Sequence, residues 1–153
     1  MTHHRRRNNG TDPSKINETV ELSPAQRYAA FKQTQAKQRT VAAEFARSMP
    51  FELDEFQMQA NDALEAGDNV LVAAPTGAGK TVAADFAIYL AQTRNVKAFY
   101  TTPIKALSNQ KYHDLVDQYG TDKVGLLTGD TSINSEADIV VMTTEVLRNM
   151  LYE

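Results

Sequence analysis

Residues 70–81 read Val-Leu-Val-Ala-Ala-Pro-Thr-Gly-Ala-Gly-Lys-Thr and constrain the chain more than any other stretch. A short apolar run leads into a Gly-containing turn, and Lys80-Thr81 opens a helical pattern. Strand, loop and helix in that order make a P-loop. A phosphate chain needs several backbone N–H groups aimed at it. Gly77 and Gly79 let the backbone curl that tightly, and the helix start adds free N–H groups and the positive end of its dipole. The loop residues Ala74, Pro75, Thr76, Gly77, Ala78 and Gly79 therefore form the expected phosphate cradle. Lys80 is expected on the β/γ-phosphates and Thr81 on Mg²⁺, which makes these two the catalytic candidates. One letter departs from G-x-x-x-x-G-K-[ST]: the first Gly is Ala74.

The chain has 153 residues, enough for one domain with its own core. It contains no cysteine, which excludes disulfides, thiolate metal sites and cysteine catalysis. No apolar run approaches the roughly 20 residues of a membrane span, and the N-terminus lacks the apolar region of a secretory signal. The expected location is the cytoplasm, with no membrane partner. Residues 1–50 hold nine Lys/Arg against four Asp/Glu (+5), whereas 51–153 hold seven against fifteen (−8), for a total of −3. Bulk charge in the second part does not advertise nucleic acid, so any such site there must be local.

Residues 1–22 are polar, with Arg5-Arg6-Arg7, and are expected to be disordered. His3 and His4 are too isolated for a metal site. Ser23-Pro24 starts a helix, expected to run through the Ala/Gln/Lys/Arg-rich stretch within 23–49 until Met49-Pro50 breaks it. Asp54 caps another helix, which stops at Gly67, with Phe56, Ala60, Ala63 and Leu64 as its buried stripe. Asn69 to Ala73 is expected as the first strand, covered on both faces. The helix after the P-loop turns Val82, Ala83, Phe86, Ala87 and Leu90 inward. A strand over 96–101, a helix from Ile104 to Tyr119, a strand over Val124–Leu127, a loop over 131–137, a strand over Asp138–Met142 and a helix from Thr143-Thr144-Glu145 follow.

This alternation predicts an α/β fold with a parallel sheet. Ligands of such sheets sit at the carboxyl ends of the strands. The loops 74–79, 101–103, 128–130 and 143–145 all leave such ends and are expected on one rim.

Together these segments resemble the superfamily-two DExH-box helicases of the superkiller type. Phe51-Glu52-Leu53-Asp54-Glu55-Phe56-Gln57 resembles their adenine-reading motif, and Ala74 through Thr81 resembles motif I, where Ala commonly replaces the first Gly. Thr102-Pro103-Ile104-Lys105-Ala106-Leu107-Ser108-Asn109-Gln110-Lys111 resembles motif Ia. Gly125-Leu126-Leu127-Thr128-Gly129-Asp130 resembles motif Ib, and Val141-Met142-Thr143-Thr144-Glu145-Val146-Leu147-Arg148 resembles the next nucleic-acid motif. The resemblance covers about 50–153. It implies the first part of a RecA-like ATP-binding domain, with Phe51 stacking on adenine and Gln57 bonding its edge. It also implies a single-strand track on Pro103, Ile104, Lys105, Thr128, Gly129, Thr144 and Arg148. Phosphates rather than base edges suit these groups. Asp130 is expected to cap its own loop.

The family's motif II, an apolar strand ending in Asp-Glu-x-His, does not occur between residues 1 and 153. Asp54-Glu55 opens a helix instead. The expectation is an N-terminal piece of an ATP-dependent helicase that moves on single-stranded RNA, with DNA the alternative. ATP and Mg²⁺ are its cofactors, and the rest of the chain, with a second RecA-like lobe, its partner. By itself the piece would bind ATP–Mg weakly and hydrolyse it negligibly, because phosphoryl transfer depends on positioned charges it lacks. A non-catalytic binding fragment and a P-loop kinase are the competing readings.

Overall fold

The computed structural model describes residues 22–152. The tail expected over 1–22, with its Arg run, His3 and His4, lies outside them except for Leu22. The chain divides into two units, 1–37 and 38–153. In the first, α1 (Pro24–Gln38) begins where Ser23-Pro24 predicted. Its cap is reciprocal: the Gln26 side chain accepts from the Ser23 N–H at 2.8 Å, and the Ser23 hydroxyl accepts from the Gln26 N–H at 3.3 Å.

The helix expected over 23–49 is two helices. The second, α2 (Val41–Ser48), starts afresh because Thr40 is extended and its hydroxyl caps the Ala43 N–H. Glu65 supplies the other reason. Its carboxylate, from the end of α3 (Glu55–Ala66), accepts from the Val41 and Ala42 N–H groups at 3.0 and 2.8 Å. A carboxylate on a helix N-terminus satisfies orphan donors and opposes the dipole. α3 ends at Gly67, whose φ of 93° only glycine adopts readily.

α4 (Thr81–Thr93) lies between two cores. On one side Val82, Phe86 and Leu90 pack with Ala42 and Phe45 of α2. The rings of Phe45 and Phe86 meet edge to face at 5.3 Å. On the other side Ile88 joins the sheet core, while Ala87, expected inward, is only half-buried.

The sheet contains β1 (Ala98–Thr102), β2 (Val124–Leu127), β3 (Ser132–Ile133) and β4 (Ile139–Thr143), in the order β1-β4-β2-β3. β4 runs parallel to both β1 and β2. It is the centre: Ile139, Val140, Val141 and Met142 are all fully buried. Alternation splits them. Ile139 and Val141 face a core with Ile88, Val124, Leu126 and Leu115, the last from α5 (Lys105–Tyr119). Val140 and Met142 face Ala137 and the half-buried Val146 and Leu147 of α6 (Thr144–Tyr152), whose Met150 and Leu151 stay exposed.

Two strand expectations change. The loop predicted over 131–137 contains β3, which pairs antiparallel with β2, so the sheet is mostly rather than wholly parallel. The strand predicted over 69–73 pairs with none of the described strands. Its burial alternates, Val70 and Val72 half-covered and Leu71 and Ala73 exposed, so only one face is shielded. The stretch lines an open groove of about 400 Å³ together with Phe56 and Ala63 of α3. Apolar sequence predicts a buried strand, but a ladder needs a neighbour's edge in register, and none of the described strands pairs with this stretch. The stripe of α3 shifts accordingly. Ala60 is buried as expected, but its buried companions are Gln57 and Asn61, while Phe56, Ala63 and Leu64 are half-buried.

Two substitutions test this packing. Neither polar atom of the buried Asn61 amide has a hydrogen-bond partner among the described residues. Asn61→Leu is expected to raise stability by about 1–3 kcal/mol in urea unfolding, since an unsatisfied buried amide is removed. An unchanged or lower midpoint would show that the amide is satisfied. A Cβ on Gly125 would run into the backbone carbonyl of Asn134, which cannot swing aside as a side chain can. Gly125→Ala should therefore lower the thermal midpoint and loosen β3, read as faster amide exchange at Ile133.

Candidate functional site

The P-loop adopts the curl its glycines predict. Gly77 and Gly79 have φ of 84° and 77°. The Ala78 N–H bonds the Pro75 carbonyl at 3.2 Å, and the Val82 N–H bonds the Gly79 carbonyl at 3.2 Å. Lys80 and Thr81 are exposed at the start of α4. Phe51, expected to stack on a base, is 51% exposed.

Gln57 is placed differently from a free reader of bases. It is 4% exposed. Its Oε1 accepts from the Asp54 N–H at 2.8 Å, and its Nε2 donates to the Gly79 carbonyl at 3.0 Å. The side chain thus closes the start of α3 and braces the P-loop from beneath. A Cβ on Gly79 would come within 2.6 Å of that Nε2. Gly79 is therefore required twice, for its φ and for its contact with Gln57.

The other candidates assemble on the rim formed by the carboxyl ends of β1, β4 and β2. Parallel pairing puts these ends on one side. Pro103, Ile104 and Lys105 follow β1, Thr144 follows β4, and Thr128 and Gly129 follow β2. All but Thr128 are exposed, as is Arg148 on α6. Several hydroxyls turn inward. The Thr144 hydroxyl donates to the Thr102 carbonyl at 3.1 Å, tying the start of α6 to the end of β1. The Thr102 hydroxyl meets that of the buried Ser108 at 2.6 Å. Thr128 donates to Asp130 Oδ1 at 3.0 Å. What the rim offers outward is thus mainly backbone and the cations of Lys105 and Arg148.

Asp130 holds its own loop as expected, and it also binds Lys105, Nζ to Oδ2 at 2.5 Å. The Lys105 hydrogen bond, and after it the Thr128 hydroxyl, hold the Asp130 carboxyl below the usual carboxylate range.

The P-loop side and the rim meet. Thr81 lines a cavity of about 340 Å³ with Thr101, Thr102, Pro103 and Lys111. Beside it Asp85 of α4 pairs with Lys111 of α5 at 2.5 Å, and the Lys111 ammonium lies 5.2 Å from the centre of the Tyr100 ring. Sequence reasoning missed this tie. The available signal was Asp85 itself, the only charge in an otherwise neutral α4, which needs a cation if its helix packs on both sides.

A profile of the DEAD/DEAH box helicases matches residues 54–153. The chain belongs to that family. Among relatives, it is 63% identical over 108 residues to the probable helicase HelY of Mycobacterium tuberculosis, covering 71% of this chain and 12% of that protein. It is 55% identical over 107 residues to the antiviral helicase SKI2 of Saccharomyces cerevisiae, covering 70% of this chain and 8% of that protein. A solved structure, that of a hypothetical ATP-dependent RNA helicase from Sulfolobus tokodaii, superposes with a TM-score of 0.53 at 29% identity, covering 73% of this chain and 36% of the other. The chain therefore spans a small part of the curated helicases it matches. The superkiller-type resemblance holds, and with it the α/β helicase fold.

In a helicase domain braced this way, Gly79→Ala should cost about 1–2 kcal/mol for the positive φ alone. It should also displace the Gln57 amide. The side-chain NH₂ signals of Gln57 in NMR spectra are the readout; unmoved signals would remove the brace.

Proposed function

We propose that this chain is the nucleotide-binding portion of the first RecA-like lobe of an ATP-dependent helicase that moves on single-stranded RNA, with DNA as the alternative strand. The observation that carries the reading is the P-loop of a DEAD/DEAH box chain, curled by Gly77 and Gly79 and lying against the start of the rim. Lys80 would hold the β/γ-phosphates, Thr81 the Mg²⁺, and Phe51 would stack on adenine. Gln57 would bond the adenine edge, exchanging its present contacts with the Asp54 N–H and the Gly79 carbonyl to do so. The rim residues Pro103, Ile104, Lys105, Thr128, Gly129, Thr144 and Arg148 would grip phosphates of the strand. Support for RNA comes from relatives named as ATP-dependent RNA helicases, one of them the chloroplastic DExH15 of Arabidopsis thaliana, 52% identical over 103 residues. Unwinding would need further chain, including a second lobe. The protein would work in the cytoplasm; no described helix is long and apolar enough to cross a membrane.

The full-length protein supplies the main test. Lys80→Ala should abolish ATP-driven unwinding while leaving single-strand binding without nucleotide within about twofold, because the lysine acts on phosphates of ATP rather than of the strand. Unwinding that survived would remove the P-loop from the mechanism. The 153-residue chain is expected to bind a fluorescent ATP analogue weakly and to turn over ATP at a rate near the buffer control. The stretch leading into its P-loop has no strand neighbour among the described residues, and no Asp-Glu-x-His is present. A robust steady-state rate from this chain would overturn that expectation.

A further inference from the structure

We propose that Asp130 acts as an internal stand-in for a nucleic-acid phosphate: it occupies Lys105 in the free protein and gives it up when a single strand lies on the rim. This rests on the reading of the rim as a nucleic-acid track. Lys105 follows β1 and Asp130 follows β2, while β4 lies between those strands. The pair therefore reaches over the end of β4, a span of about 9–10 Å between strand axes. It bridges the surface on which phosphates would have to sit, beside the exposed Gly129 and Thr144.

The two oxygens of Asp130 have different jobs. Oδ1 accepts from the Thr128 hydroxyl, which belongs to a residue only 8% exposed. The Thr128 and Thr131 backbones bond each other across the turn. That oxygen is anchored. Oδ2 takes the Lys105 ammonium, and both side chains are open to solvent, 48% and 67% exposed. An exposed ion pair of this kind contributes little net stability, so a phosphate can displace the carboxylate without distorting the fold. A phosphate oxygen offers the ammonium the same charge-assisted hydrogen bond. The anchored carboxylate then remains near the strand as a fixed negative charge.

The 153-residue chain and a short fluorescein-labelled oligouridylate provide the test, by anisotropy between about 50 and 200 mM salt. Asn at 130 can still accept from Thr128, so Asp130→Asn keeps the loop. It should bind about threefold to tenfold more tightly at the low-salt end. Its slope of log affinity against log salt should steepen by up to about 0.7, one phosphate's share for a single strand. Lys105→Ala should weaken binding, and in that background Asp130→Asn should gain less than about twofold. Without nucleic acid, the NMR signal of ¹³C-dimethylated Lys105 should shift on Asp130→Asn. An unshifted signal, an equal or weaker Asp130→Asn variant, or a gain undiminished without Lys105 would each overturn the proposal. If Lys105→Ala weakens binding but Asp130→Asn does not tighten it, the rim reading stands and the stand-in role falls. If neither Lys105→Ala nor Arg148→Ala alters binding, the rim reading fails and takes the proposal with it.

Discussion

Parallel pairing of β4 with β1 and β2 is the constraint on which the rest of the second unit depends. Its four fully buried residues, Ile139 to Met142, feed two cores by alternation, one toward α4 and α5 and the other toward α6. Direction matters as much as burial. Because all three strands run the same way, the turns after Thr102, Leu127 and Thr143 emerge on one side. Lys105, Thr144 and Gly129, far apart in sequence, become neighbours. A small set of backbone hydrogen bonds thus creates a surface that no single segment could make.

The P-loop is supported from elsewhere. The stretch that leads into it pairs with none of the described strands, and its Leu71 is 93% exposed. What shapes the loop is local and lateral: two glycines at positive φ, the first turn of α4, and the Gln57 amide on the Gly79 carbonyl. α4 is held in turn by Phe45 against Phe86 on one flank and by Asp85–Lys111 on the other. The same helix that opens at Thr81 is therefore tied to α5, which carries Lys105. The physical path from phosphate cradle to rim is a partly buried ion pair and the cavity that Thr81 shares with Thr101, Thr102 and Pro103.

Much of this was legible in the chain. Gly77 and Gly79 announced the curl, Ser23-Pro24, Asp54, Gly67 and Gly120 marked helix ends, and the Ile-Val-Val run marked the central strand. Each rests on a local rule of φ, capping or apolar run length. The failures were non-local. Thr40 is the local hint of a break, but its weight shows only once Glu65, 25 residues on, accepts from the first N–H groups of α2. Nothing in Val70–Ala73 says whether a neighbour's edge is present. What short spacing could not show for Gln57 and Asp130 is a second partner each, Gly79 and Lys105, because those arrive from other elements.

The sequence by itself determined the phosphate loop, the α/β class, the helicase resemblance and the identities of the rim residues, since those follow from residue type and short spacing. The tertiary structure decided which groups remain available to a ligand. It spends the hydroxyls of Thr128 and Thr144 internally, braces Gly79 with Gln57, and neutralises Lys105 with Asp130. A residue's chemistry is written in its side chain. Whether that chemistry is free depends on which partner lies within about 3 Å, and that distance exists only after folding.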